Sequence, residues 1–515
     1  MSSEEKEQKR ISRREFVKGA AVGAAGVAAA GALASCTTAT PEVIKETVEV
    51  PVEVIKEVEL KPWLPEKWDE EADMVIVGTG FAGLAAAVTA NELGQSFLLL
   101  EKMPVPGGNS IIAGGGINAA DPERQIPQGI EDSTDLHFKH TIEGGDNIAD
   151  PEKVRYLVEN ALEAVQFTEK YGVEWRDTVS QGFGALYPRT HSAIKYVDKD
   201  GNELRSGRAT IIALLEHLEK VGEEVLFEHK VSRLIRESPL EGRVLGVEVE
   251  VNGDKKYFKA NKGVILASGG FAGNPEWVAK LDRRQAGTDT TNHAGATGEC
   301  IKFAEDIGAD TLHMDYIQAI PSFWGLKPGF KAMFYNINSE EMRAAGGASG
   351  YIFINVDGNR YVAESQRRDV IRDATVVQPL FEPLEERVVV DTLEELEEML
   401  GIPKGNLVET INRYNAFCDA GEDLDFDKDP YTLVAFRTPP FRAMSHAIAR
   451  HHTMGGLLVE GTTAQVVDRW GEIIPGLFAA GEVTGGTHGA NRLGFNATPD
   501  CLVFGQLTAN IVAAE

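Results

Sequence analysis

The stretch GTGFAG, Gly78 to Gly83, constrains this chain more than any other feature. It follows a short apolar run, Asp73–Val77, that reads as a buried parallel strand. It opens an Ala/Leu-rich segment that reads as a helix stopping at Gly94, an expected C-cap residue. A second apolar run, Phe97–Leu100, ends in Glu101 and completes one strand–helix–strand unit. Gly78, Gly80 and Gly83 therefore have the GxGxxG spacing in the setting that gives it meaning. The first glycine permits the turn, the second lets a pyrophosphate reach the backbone, and the third allows close helix–strand packing. The helix N-terminus offers amide donors and partial positive charge to a phosphate. Glu101 is placed to accept from a ribose hydroxyl.

The glycines that follow favour FAD over NAD. PVPGGNSIIAGGGINAA supplies Gly107, Gly108, Gly114, Gly115 and Gly116, a second bare loop that a flavin ring lying across the sheet would use along one edge. Two later strands end in small residues, GVILASGGFAGN at Gly269–Gly270 and GLFAAGEVTGG at Gly481–Glu482. Open α/β sheets bind ligands at such carboxyl ends.

A net charge of −28 argues against nucleic acid, whose phosphates draw on clustered Lys and Arg. An anionic substrate would need a local basic pocket within a repulsive overall field. Beyond residue 36 three cysteines remain, Cys300, Cys418 and Cys501, odd in number and far apart, so a disulfide framework is not expected. No CxxCH occurs and no His/Cys spacing suits a metal, so neither attached haem nor metal is expected.

The N-terminus reads as an address. SRREFVKG places paired arginines ahead of an Ala/Gly-rich run too short and too weakly apolar for a membrane span, and the run ends in LASC. The pattern resembles a twin-arginine export signal over residues 1–35 with a lipoprotein cleavage box. It implies an extracytoplasmic protein held at the membrane by lipidated Cys36. Residues 36–70, with EVIKE at Glu42–Glu46 and Glu53–Glu57, read as an extended tether.

From about residue 71 to the end, the chain resembles the soluble fumarate reductase flavoproteins, the flavin part of the flavocytochrome c type. EKMPVPGGNS, ASGGFAGNPEWVAKLD, MDYIQAIPS, GNRYVAESQRRD, HHTMGG and GEVTGGTHGANRLGFNA carry the likeness, in that order. The resemblance implies an α/β fold: a Rossmann-like FAD-binding domain in two segments, 71–317 and 448–515, with an α+β capping domain, 318–447, inserted between them. It implies a cofactor held by Gly78, Gly80, Ala82, Gly83, Glu101, Lys102, Gly108, Asn109, Ser110, Gly114 and Gly115. Val231, Gly269, Gly270, Glu299, His451, Glu482, Ala497 and Thr498 complete that expected set. It further implies reduction of a C=C bond conjugated to a carboxylate, with hydride from the reduced flavin N5 and electrons from a separate redox protein or membrane quinol system.

Within that likeness, Arg492 falls where the family grips a substrate carboxylate, a role that suits the bidentate guanidinium. The glycines around it are expected to leave room for the anion. His452 falls on the second carboxylate partner, His451 on a flavin contact, and Arg368 on the proton donor. Arginine is a poor acid, with a side-chain pKa above ~12, so Arg368 needs a dry site and a relay. Arg367 is a further anion ligand, or both arginines pair with Asp369 on a solvated helix start.

Two departures bear on the substrate. Ile320 stands where the family has a histidine for a second carboxylate, and Ala344 and Gly347 stand where it has the glutamate and arginine of its relay. Glu341 and Arg343 lie near enough in sequence to substitute. Phe323, Trp324, Phe330, Phe334 and Tyr335 read either as cap core or as a lining for a larger, less charged substrate tail. The sequence thus points to a non-fumarate enoate with one carboxylate and an apolar or aromatic far end. A 3-ketosteroid dehydrogenase-like flavin dehydrogenase and a non-catalytic flavin carrier are the alternatives.

Overall fold

The computed structural model describes residues 63–322 and 330–515. The export signal, Cys36, nearly all of the tether and the aromatic residues Phe323 and Trp324 lie outside the described residues.

The first strand forms where the apolar run predicts, but it starts earlier, spanning Glu70–Val77. The extension has a cause: Glu70–Ala72 pair with Phe258–Ala260 of the long strand Asp254–Leu266 before the buried half, Met74–Val77, begins. The helix runs Phe81–Glu92 and the next strand Phe97–Leu100. Gly94 adopts φ +68 in the turn between them. Four parallel pairings build the spine of an eight-stranded sheet. Glu70–Val77 lies between Phe97–Leu100 and Asp254–Leu266, and the outer neighbours are Val225–Leu226 and Ile473–Ala479.

Apolar layers cover both faces of this sheet. Met74 and Ile76 point into the layer made by the helices Phe81–Glu92, Pro151–Lys170 and Ala497–Ala514. Val75 and Val77 join the opposite layer. Each such side chain contributes about 1.5–3 kcal/mol when fully buried. Small residues let the C-terminal helix lie directly on the first helix, since a Cβ at Gly505 would stand 2.4 Å from the Ala82 carbonyl oxygen.

A second, six-stranded sheet is organised on one long strand, Phe441–Thr453. Its first half pairs antiparallel with Val388–Val390 and Phe334–Asn338. Its second half pairs with Ile317–Ser322 and, in parallel, with Asp289–Thr290. One uninterrupted strand thus links Val388–Val390 and Phe334–Asn338 to Ile317–Ser322 and Asp289–Thr290. The helices Arg368–Val376, Leu393–Leu400 and Asn406–Ala420 lie in the chain between Phe334–Asn338 and Phe441–Thr453, where a separate apolar cluster includes Tyr335, Ile352, Leu396 and Tyr414. Phe334 packs edge-on against Phe353, with ring centroids 4.8 Å apart, and Tyr335 lies in the neighbouring apolar cluster, so both Phe334 and Tyr335 are core residues.

A buried ion network fixes the segment that leads to Arg368. Glu364 pairs with Arg360 at 3.2 Å and with Lys428 at 3.1 Å, Arg360 also pairs with Asp423 at 2.9 Å, and Phe353 N donates to Glu364 Oε1. Two cations and two carboxylates balance there, which is what lets charges persist away from water.

Candidate active site

The carboxyl ends of the parallel strands open into a cleft with about 930 Å³ of empty space. Gly78 turns the chain with φ +108, and a Cβ there would lie 2.5 Å from the Ala267 carbonyl oxygen. Gly83 would place a Cβ 1.9 Å from the Gly78 oxygen, so it serves helix–strand packing and does not line the cleft. The first helical amide, Phe81 N, donates to Ser110 Oγ at 3.0 Å. Glu101 Oε2 accepts from Thr79 Oγ1 at 2.5 Å, while Thr79 Oγ1 itself accepts from Gly107 N. Thr79 thereby ties the first glycine turn to the second glycine loop, and nothing in its sequence context signalled it.

The far wall is charged. Lys102 bonds both Thr297 and Glu299, and Lys230 reaches Glu299 at 3.1 Å. Burial opposes ionisation of Glu299, but the bonds from Lys102 and Thr297 hold its carboxyl down to about 2. Gly80, Ala82, Gly108, Asn109, Val231, Gly269 and Glu482 also face this cleft, as do Gly78, Glu101, Lys102, Ser110 and Glu299. Met103, His229, Ser268, His293 and Cys501 join them without having been expected.

Other expected cofactor residues lie away from that lining. Gly115, at φ +66, would drive a Cβ to 2.3 Å from Gly207 N, and Gly114 faces the Phe495 ring. Gly270 is pressed against Thr453 Oγ1 and Glu482. Ala497 and Thr498 begin the C-terminal helix. His451 bonds Thr291 Oγ1 through Nδ1 at 2.8 Å.

Beyond Glu482, four distant segments meet. Arg368 opens its helix and turns inward, while Arg367 turns outward to Asp369 and Asp146. The two arginines therefore differ: Arg367 is a surface ion-pair partner, and Arg368 is buried. Arg368 Nη1 donates to Gln318 Oε1 at 3.0 Å, and Nη2 donates to the Phe183 carbonyl at 3.1 Å. Arg492 Nη2 donates to the same Gln318 Oε1 at 3.2 Å. Gln318 Nε2 is itself anchored on Asn491 Oδ1 and the Arg492 carbonyl. Strand register sets Gln318 opposite His452. Gln318 falls within MDYIQAIPS, and only the fold shows it standing between two guanidiniums.

Each guanidinium keeps a buried Nε without a hydrogen-bond partner, as does His452 at Nε2. Among the described residues neither arginine is bonded to a carboxylate; their partners are neutral oxygens. Burial, and then the charge of Arg492, hold Arg368 well below the ordinary arginine value. Burial pulls Arg492 down to about 10 against the opposing charge of Glu482. His451 and His452 are likewise held well below the ordinary histidine value by burial and by these arginines, and His488 by burial, Arg492 and Lys153. Two cations buried side by side are costly unless an anion joins them.

The glycines near Arg492 do not act as expected. A Cβ at Gly489 would stand 2.2 Å from the Gly145 oxygen, and one at Gly494 would stand 2.0 Å from the Phe183 oxygen. They let the loop lie against protein backbone, and do not hold open a space for a ligand. The proposed substitutes for a relay pair do not reach Arg368 either. Glu341 is bonded by Ser339 and Thr438, and Arg343 is exposed.

A strand–turn–helix with a pyrophosphate-type glycine turn, next to buried cations, defines an FAD-dependent oxidoreductase. The family model described as FAD binding domain matches residues 73–497, and the chain belongs to that family. It is 33% identical over 464 residues to the fumarate reductase (cytochrome) of Shewanella frigidimarina, covering 86% of this chain and 77% of that one. It is 34% identical to the urocanate reductase of Eggerthella lenta, covering 88% and 76%. It is 30% identical to the acrylate reductase flavoprotein subunit of Shewanella woodyi, covering 87% and 92%. Among solved structures, the open conformation of a flavocytochrome c3 fumarate reductase superimposes with a TM-score of 0.65 at 28% identity, covering 88% and 82%. The cofactor is FAD, and the cleft's bare turns and bonded acids fit its pyrophosphate and ribose.

Proposed function

We propose that this flavoenzyme reduces the C=C bond of an enoate, and that the substrate carries one carboxylate and an apolar or aromatic far end. The carrying observation is the pair Arg368 and Arg492, buried together on one oxygen of Gln318, each with an unpartnered Nε. Relatives that reduce fumarate, urocanate and acrylate by name support the substrate class. Ile320, which cannot bind a carboxylate, supports the apolar end.

Bound FAD supplies the hydride. Arg492 and His452 hold the substrate carboxylate, and Arg492 gains interaction as negative charge spreads into that group in the transition state. Arg368 protonates the second carbon. Burial, and then the neighbouring charge of Arg492, make Arg368 a stronger acid than free arginine. Electrons come from a separate donor protein or quinol system.

The test is anaerobic. The purified enzyme is reduced chemically, a panel of enoates and enones is added, and the return of the oxidised flavin band is followed. Reoxidation by monocarboxylic enoates is expected. Reoxidation by enones alone would favour a steroid-dehydrogenase-like enzyme, and by neither a flavin carrier. Faster turnover of fumarate than of any monocarboxylic enoate would dismiss the apolar end. We also propose twin-arginine export and a lipid anchor at Cys36; incorporation of labelled fatty acid, lost in Cys36→Ala, is the check.

A further inference from the structure

A row of buried titratable groups stands behind the arginines. Glu482 Oε1 lies 3.3 Å from His452 Nδ1 and accepts from Thr453 N at 3.0 Å. The His452 ring meets His488 edge-on, with centroids 5.4 Å apart. His488 Nε2 lies 3.8 Å from Asp500 Oδ2, and Lys153 stands beyond, bonded to Gly485 O and Thr484. His452, His488, Asp500 and Lys153 are each at most 5% exposed.

The tautomer of His452 follows from this arrangement. An ionised Glu482 can only accept, so the 3.3 Å approach of its Oε1 to His452 Nδ1 selects the tautomer with its hydrogen on Nδ1. A neutral imidazole that donates from Nδ1 has only a lone pair at Nε2. That lone pair repels a carboxylate, and only the imidazolium offers a second N–H. The groups facing the ring are Arg492, Arg368, His451 and His488, together with Glu482; Asp500 is behind His488. Burial and the Arg492 charge keep the ring neutral while the site lacks an anion. A carboxylate entering beside Nε2 offsets those cations and reverses the balance.

We propose that binding of the anionic substrate takes up one proton from solvent at His452 Nε2, so that the imidazolium bridges Glu482 and the substrate carboxylate. One N–H bond forms and no substrate bond breaks. The inference rests on the reading of this site given under the proposed function. Affinity then falls about tenfold per pH unit over the range where the free ring is neutral and the bound ring charged.

Titration calorimetry of oxidised holoenzyme with acrylate and with cinnamate at pH 7.5, in phosphate and in Tris, measures the uptake directly. The expected result is a binding enthalpy that differs between buffers by the ionisation heat of about one proton, with Kd rising about tenfold from pH 7 to pH 8. His452→Gln, checked for retained flavin absorbance, should bind more weakly with a buffer-independent heat. Binding with equal heats in both buffers would overturn the inference, because His452 Nε2 would then already carry its proton. Uptake that persists in His452→Gln would overturn it as well. Failure of both carboxylates to bind would instead overturn the reading of the site, and the inference with it.

Discussion

In the cofactor cleft, Gly78 and Gly83 press backbone against backbone, and the recognition groups are mostly turns, amides and locally bonded side chains. At the arginine cluster, Gln318, Arg368, His452 and Arg492 arrive from separate segments and act through charge and side-chain bonds. The first region is made of shape and the second of electrostatics. Shape fails when a methyl group is added, whereas electrostatics fails when a charge is removed and the fold stays. The two regions should therefore separate cleanly under mutation.

The largest effect is expected at Gly83. A Cβ there would stand 1.9 Å from the Gly78 oxygen, so Gly83→Val should yield no flavin-containing protein by absorbance. Arg492→Ala should do the opposite, keeping bound FAD while enoate turnover falls about 10²–10³-fold, the scale of removing one charge-stabilising donor. Variants of both kinds that lost FAD equally would erase the distinction. Gln318→Leu should be milder, with kcat/KM down about tenfold or more, since it leaves two buried guanidiniums without their shared acceptor. Ile320→His should shift selectivity toward dicarboxylates by about tenfold, read as a ratio of kcat/KM values for fumarate and a monocarboxylic enoate.

The smallest effect concerns stability. Burial raises the Asp500 carboxyl from 3.8 to about 6 against the pull of Lys153. The folded protein thus holds this proton more tightly than the unfolded chain does. The resulting stability is complete below about pH 4 and is lost as pH rises through 6. Asp500→Asn should flatten that decline, so its thermal midpoint should gain on the parent's between pH 4 and pH 6.5. Parallel curves would show that Asp500 does not titrate there.

The same contrast explains what the sequence revealed. The glycine turn and its flanking strands were legible because their determinants lie within thirty consecutive residues and follow simple periods. Glycines elsewhere announced close approach without saying to what. Those beside Arg492 meet the chain's own carbonyls at Gly145 and Phe183, and Gly115 meets Gly207. Arg368 and Arg492 were named through resemblance to a family; that they share one acceptor depends on the register that sets Gln318 beside His452, which no local pattern encodes. His488 and Asp500 were also unreadable, since they matter only through burial and mutual distance.

A crystal structure of the oxidised holoenzyme with a bound monocarboxylic enoate tests the central claim most directly. The account predicts the carboxylate within hydrogen-bond distance of both Arg492 and His452 Nε2, with the Arg368 guanidinium facing the double bond. A carboxylate held by other groups, with Arg492 still bonded only to Gln318, would contradict it.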